Sequence, residues 1–259
     1  MVSNIIKDTD FDISNLTFSL CKKDNYGGRQ VKILYKGVPY PILRLSHSMY
    51  GFGIQKYKKY KTDLDEGFQV VLSPYSEGYK PKGKGEMLFD EINGSLMKAA
   101  SNFIYENIYE FSYGKRFDKL DKEFVMEFIK SEVKGLVYKK DENSKSYIYM
   151  KLLTNKSSDN KDVNDLKFSD IKTFFCDTKN KIINPEDIDT KHGKVFCDIM
   201  LSSLYVKSSQ TTFQYRLDEC VYVLGNPRSV RGRDYVDEYD KKESDDKELN
   251  SRLEGMFEE

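Results

Sequence analysis

The sequence predicts an α+β domain, mostly β, built on a small antiparallel sheet or barrel with one long and one short helix. Three observations carry that reading. Runs of β-favouring residues lie between positions 16 and 72 and return between 147 and 224. Between those two blocks, apolar residues recur at three- and four-residue spacing, the period of a helix that buries one face. No internal repeat divides the chain, so strands, then helices, then strands must share one core.

Residues 1–15 read as a polar lead-in. Segments 16–21 and 30–36 alternate apolar with polar residues around Asp24-Asn25-Tyr26-Gly27-Gly28, a hairpin signal. Pro39, Pro41 and the Gly51-Phe52-Gly53 step predict a loop around a short strand at 42–45. The apolar run 68–72, closed by Gly67 and Ser73-Pro74, predicts a buried strand.

A long helix is expected to start near Glu86, with Leu88, Ile92, Leu96, Ala99, Phe103, Ile104 and Ile108 in one stripe. A shorter one should follow from Asp121, whose carboxylate can cap it, through Phe124, Val125, Phe128 and Ile129 to about Lys134. Residues 137–146 read as a connector. Segments 147–153, 174–177, 194–205 and 211–224 then favour strands; a polar loop at 154–164 ends the first, and Lys207-Ser208-Ser209-Gln210 turns the last two into a hairpin. From 226 to 259 apolar periodicity is lost, and a disordered acidic tail is expected.

Charge is segregated along the chain. The 42 basic and 42 acidic residues cancel overall, yet 234–259 carries 11 acidic and 4 basic residues. Residues 1–233 are therefore net positive by 7, which suits a body that binds a polyanion and a tail that mimics one. No stretch approaches the roughly 18 apolar residues of a spanning helix, and the first seven residues lack a basic start and a long apolar run. No membrane association and no secretion are expected.

Catalytic patterns are weak. Cys21, Cys176, Cys197 and Cys220 form no CxxC pair, so neither a zinc cage nor any other cofactor is expected, and the thiols read as buried apolar groups in a reducing compartment. The Gly78-to-Gly85 segment matches G-x4-G-K but has Gly85 where a magnesium-binding hydroxyl belongs, and Pro81 removes a backbone donor. His47 and His192 lack a third residue to orient a nucleophile, and Asp63, Asp65 and Glu66 lack the spacing of a calcium loop. No catalytic residue is assigned, and the expectation is a protein that is not an enzyme.

Lys56-Tyr57-Lys58-Lys59-Tyr60-Lys61 interleaves four ammonium groups with two phenol rings. Single-stranded nucleic acid offers phosphates to the cations and unstacked bases to the rings, whereas a duplex hides its base faces. Further basic and aromatic residues gather at Tyr113, Lys115, Arg116 and Phe117, and at Tyr205, Lys207, Tyr215 and Arg216.

The order of segments resembles a known family. Residues 41–54 carry Gly-Phe-Gly, 68–74 and a long helix follow, and a β-rich block then spans 147–223. In that block Gly193-Lys194-Val195 begins a strand, Leu204-Tyr205-Val206 ends one, and Phe213-Gln214-Tyr215-Arg216 starts its return. This is similar to the single-stranded DNA-binding proteins of nucleocytoplasmic large DNA viruses and, more distantly, to the replication single-strand binders of podophages. Tyr205 and Tyr215 stand where the family pattern has tryptophan, and the chain ends Phe257-Glu258-Glu259 rather than on an aromatic residue.

The resemblance implies an OB-like antiparallel barrel over 16–225, a viral replication role in host cytoplasm or nucleus, and an acidic tail over 226–259. Its expected partners are single-stranded DNA, replication proteins such as a polymerase or helicase at the tail, and a second copy of the chain. Lys56, Lys58, Lys59, Lys61, Arg116, Lys207 and Arg216 are the expected phosphate contacts. Tyr57, Tyr60, Tyr205, Phe213 and Tyr215 are the expected stacking surfaces. An interaction scaffold of the same fold without DNA binding, and an RNA-binding protein, are the alternatives.

Overall fold

The structure, a computed structural model, describes residues 4–23, 28–58, 65–75, 83–111, 117, 120–140, 145–154, 167–189, 191–207 and 210–224. These form a mixed α+β arrangement dominated by strands. In chain order they are β1 (Ile5–Lys7), β2 (Leu16–Lys23), β3 (Arg29–Tyr35), β4 (Val38–Pro39), β5 (Ile42–Arg44), β6 (Met49–Lys58) and β7 (Asp65–Ser73). Helices α1 (Lys84–Glu106) and α2 (Lys122–Glu132) follow, then β8 (Val133–Lys134), β9 (Tyr138–Lys139), β10 (Ser146–Leu152) and β11 (Phe174–Cys176). The short α3 (Pro185–Ile188) precedes the two longest strands, β12 (Gly193–Lys207) and β13 (Gln210–Leu224).

Five strands pair in a closed circuit. β12 pairs β6, β6 pairs β7 and β7 pairs β10, all antiparallel. β10 then runs parallel to β13, and β13 returns antiparallel to β12. The antiparallel expectation fails at this parallel step, as it does where β1 meets β5 and where β8 and β11 meet β13. Parallel neighbours need a long crossover, and the chain between β10 and β13 supplies one.

β12 serves three partners along one edge: its start pairs β6, its middle β5 and its end β3. Register shifts against β13 at Cys197/Ile199 and Leu201/Ser203 let it do so, because a bulge bends a strand and re-aims the residues beyond it. Inside the circuit, period-two alternation buries Ile54, Phe68, Val70, Leu72, Ile148, Met150, Val195, Ile199 and Leu217.

Helix α1 begins at Lys84, earlier than expected, because the Glu86 carboxylate accepts the Gly83 N–H at 2.9 Å. Its buried stripe is Phe89, Ile92, Leu96, Ala100 and Ile104, so Leu88, Ala99 and Phe103 lie at the flank of that stripe. Asp121 caps α2 as expected, accepting from the Glu123 and Phe124 amides at 2.8 and 3.4 Å. No helix among the described residues is long and apolar enough to cross a membrane.

Three expectations need correction. Within the polar lead-in, β1 pairs β5, and Asp8 is buried with its carboxylate accepting from Thr9 N, Ser46 N and Ser46 Oγ. Within the expected connector, β9 pairs the start of β10.

Gly51-Phe52-Gly53 is not a loop but a register shift inside the continuous strand β6. Gly53 takes φ +83°, and a Cβ at Gly51 would stand 2.6 Å from Val195 Cγ2. The Tyr222 hydroxyl holds the step, accepting from Gly53 N at 3.1 Å and donating to Lys191 O at 2.6 Å.

Where β5 meets β12, register partners Arg44 and Asp198 form a bidentate ion pair at 2.7–3.2 Å. Asp198 is buried, and the pair ties the outer β1–β5 edge to the circuit.

Candidate nucleic-acid interface

Lys56, Tyr57 and Lys58 end β6; Lys59, Tyr60 and Lys61 lie outside the described residues. Tyr57 is the register partner of Gly67, and its ring lies across that glycine. A Cβ there would stand 2.7 Å from the ring's Cε1 and Oη, so Gly67 is what allows the ring to lie on the sheet. Lys151 of β10 extends its Nζ over the same ring, 4.9 Å from the centroid.

One register row crosses four strands on this outward face. Gln55 of β6 pairs Gln69 of β7, Gln69 pairs Lys151 of β10, and Lys151 pairs Arg216 of β13. Lys151 and Arg216 are both exposed, and the row holds no carboxylate.

Beside that row runs a strip of rings that sequence reasoning did not assign. Tyr138 of β9 lies 5.8 Å from Tyr149 of β10, Tyr149 lies 6.3 Å from Tyr147, and Tyr147 lies 5.8 Å from Phe52 of β6. Phe52 in turn meets Tyr50 at 5.1 Å and His192 at 5.4 Å, mostly edge to face. The Tyr50 hydroxyl and His192 Nδ1 share a hydrogen bond of 2.9 Å. Tyr138 and Tyr149 are exposed, and burial, reinforced by Tyr138 and Tyr147, raises the pKa of the Tyr149 hydroxyl. Part of the strip was legible: in Tyr147-Ile148-Tyr149-Met150-Lys151 the buried Ile148 and Met150 alternate with the two rings and the ammonium.

The remaining sequence candidates divide. Tyr205 and Lys207 stand at the β12–β13 turn, with the Tyr205 ring against Gly28 and Lys207 exposed. Arg216 joins Lys151 as above. Arg116 lies outside the described residues, while its neighbour Phe117 is buried.

Phe213 and Tyr215 are corrections. Phe213 is buried in the core, and Tyr215 donates its hydroxyl to Leu136 O at 2.8 Å, with burial raising its pKa. Period two along β13 turns Phe213, Tyr215 and Leu217 to the side of Thr211 and leaves Arg216 outward.

The histidines and cysteines weighed as catalytic candidates have these surroundings. His47 packs 5.8 Å from Phe89, and burial lowers its pKa. His192 is engaged with Tyr50, while Cys197 faces Cys220 inside the sheet with its thiol pKa raised by burial. Residues 78–82 of the Gly-rich segment and Asp63 lie outside the described residues. Among the described residues no group of three or more His, Cys, Asp or Glu side chains could hold a metal ion.

Chemically, the face offers aromatic rings, the exposed cations Lys151 and Arg216, and the amides of Gln55 and Gln69. No family model matches the chain, and no curated protein matches it.

Proposed function

We propose that this protein binds single-stranded nucleic acid without base preference and coats single-stranded DNA during replication, recombination or repair, without catalysing a reaction. The observation that carries this reading is the outward face of β6, β7, β9 and β10. There a strip of contiguous rings adjoins the carboxylate-free row that ends in Lys151 and Arg216. Stacking on an aromatic ring suits every base, and cations suit every phosphate, so this pairing of features favours the polymer over any sequence.

The strand circuit supports an OB-like reading. An OB fold closes five strands in the order 1-2-3-5-4, with strands 3 and 5 parallel, and binds oligonucleotides on its strand 2–3 face between loops 1–2 and 4–5. With β6, β7, β10, β12 and β13 as strands 1 to 5, the circuit has that order and that parallel step. Lys56, Tyr57 and Lys58, at the end of β6, then stand where strand 1 meets loop 1–2, and Lys207 borders loop 4–5. The long α1 falls between strands 2 and 3 of this scheme.

The acidic segment 234–259, which lies outside the described residues, is proposed to compete with nucleic acid for the basic face and to recruit a basic replication partner. The test is anisotropy of a labelled oligothymidine with the full chain and with residues 1–233. Binding should weaken with salt and resist competition by duplex DNA, and it should tighten without the tail, most at low salt. Oligouridine of equal length displacing the probe more readily would redirect the reading to RNA. No binding by either chain would overturn it.

A further inference from the structure

Two features of the outward face involve its exposed cations. Lys151 and Arg216 are direct register partners on parallel strands, exposed and side by side. Like charges placed abreast on a sheet repel. Their other neighbours in the row, Gln55 and Gln69, carry no charge to offset this, and neither cation forms a salt bridge among the described residues. In addition, the Lys151 ammonium lies over the Tyr57 ring in a cation–π contact, and that ring also lies across Gly67. The ring's stacking surface is therefore occupied by a cation rather than open.

We infer that Lys151 and Arg216 form a phosphate subsite for a single-stranded nucleic acid backbone, and that Lys151 leaves the Tyr57 ring to make it. The inference rests on the proposed function and names one subsite within it. A phosphodiester between the two cations offsets the repulsion of bringing them together on adjacent strands. Drawing the ammonium toward the phosphate uncovers Tyr57, whose ring takes the adjoining base. Gly67 keeps the ring flat throughout, so the exchange moves one lysine side chain and leaves the sheet unchanged. Lys151 thus couples phosphate binding to stacking, a role that the run Lys56–Lys61 does not reveal because Lys151 lies far from it in sequence.

The experiment is a salt series of oligothymidine anisotropy for the wild-type chain and for Lys151→Gln, Arg216→Gln, Tyr57→Ala and, as a charge control on α1, Lys98→Gln. Removing one phosphate contact should reduce the slope of log K against log salt by about 0.7 in Lys151→Gln and in Arg216→Gln. Lys98→Gln should leave the slope unchanged. At high salt the Lys151→Gln deficit should close, because the charge is screened and the ring is already uncovered, whereas Tyr57→Ala should remain weaker at every salt. Wild-type binding with an unaltered slope in both cation variants would overturn the subsite and leave the proposed function standing. Failure of the wild-type chain to bind would remove both.

Discussion

Replacing Arg44 with alanine is expected to lower the unfolding free energy by about 3–5 kcal/mol at neutral pH. The pair with Asp198 is bidentate, and Asp198 is buried, so truncating the arginine strands a carboxylate away from water. Two more carboxyls stand near. Burial, followed by Asp198, raises the pKa of both Asp218 and Glu219, and Arg44 opposes the shift at Glu219.

A carboxyl whose pKa is raised on folding binds its proton more tightly in the folded state. The stability it contributes is present below its unfolded pKa, about 3.9–4.3, and is lost as pH rises through the folded value. Without Arg44 that loss grows, so the deficit of Arg44→Ala should be larger at pH 7 than near pH 4. Urea unfolding at the two pH values measures this. A loss below about 1 kcal/mol would mean that the pair is worth no more than an exposed surface bridge.

The second large effect concerns binding. Phe52→Val, Tyr147→Val and Tyr149→Val keep β-favouring side chains while removing the flat rings. Each ring that stacks a base should cost about 1–3 kcal/mol, roughly 5- to 150-fold in the dissociation constant. Tyr147 touches both Phe52 and Tyr149, so the losses should not add, and the triple variant should lose at least as much as its worst single member. Its salt slope should match the wild type, since no charge is removed. Wild-type affinity in a folded triple variant would exclude the strip from the interface.

Much of the fold was legible locally. The β2–β3 hairpin, the Asp121 cap, the apolar period of α1 and the β12–β13 hairpin each depend on residues close in sequence. The failures share a cause, which is dependence on distant partners. Gly51-Phe52-Gly53 has the composition of a turn, and only Val195 and Tyr222 make it a tight step within a strand. Ile5–Lys7 is too short to show a pattern, and only β5 makes it a strand.

The candidate site divides in the same way. Tyr57 and its lysines were visible as a run, and Arg216 was visible as the outward member of an alternating strand. The same alternation could have excluded Phe213 and Tyr215, whose basic neighbours suggested exposure. Phe52 and Tyr147 are remote in sequence, and the registers of β6, β7 and β10 make them neighbours. No local window contains that information.

The most direct measurement is ultraviolet cross-linking of oligothymidine to the full chain at moderate salt, followed by mass mapping of the attached peptides. A thymine that stacks on a ring lies close enough to cross-link to it. Attachment should concentrate on the peptides containing Tyr57, Phe52, and Tyr147 with Tyr149. Attachment confined to α1 and α2, or none from a complex shown to be bound, would contradict the assignment of this face to single-stranded nucleic acid.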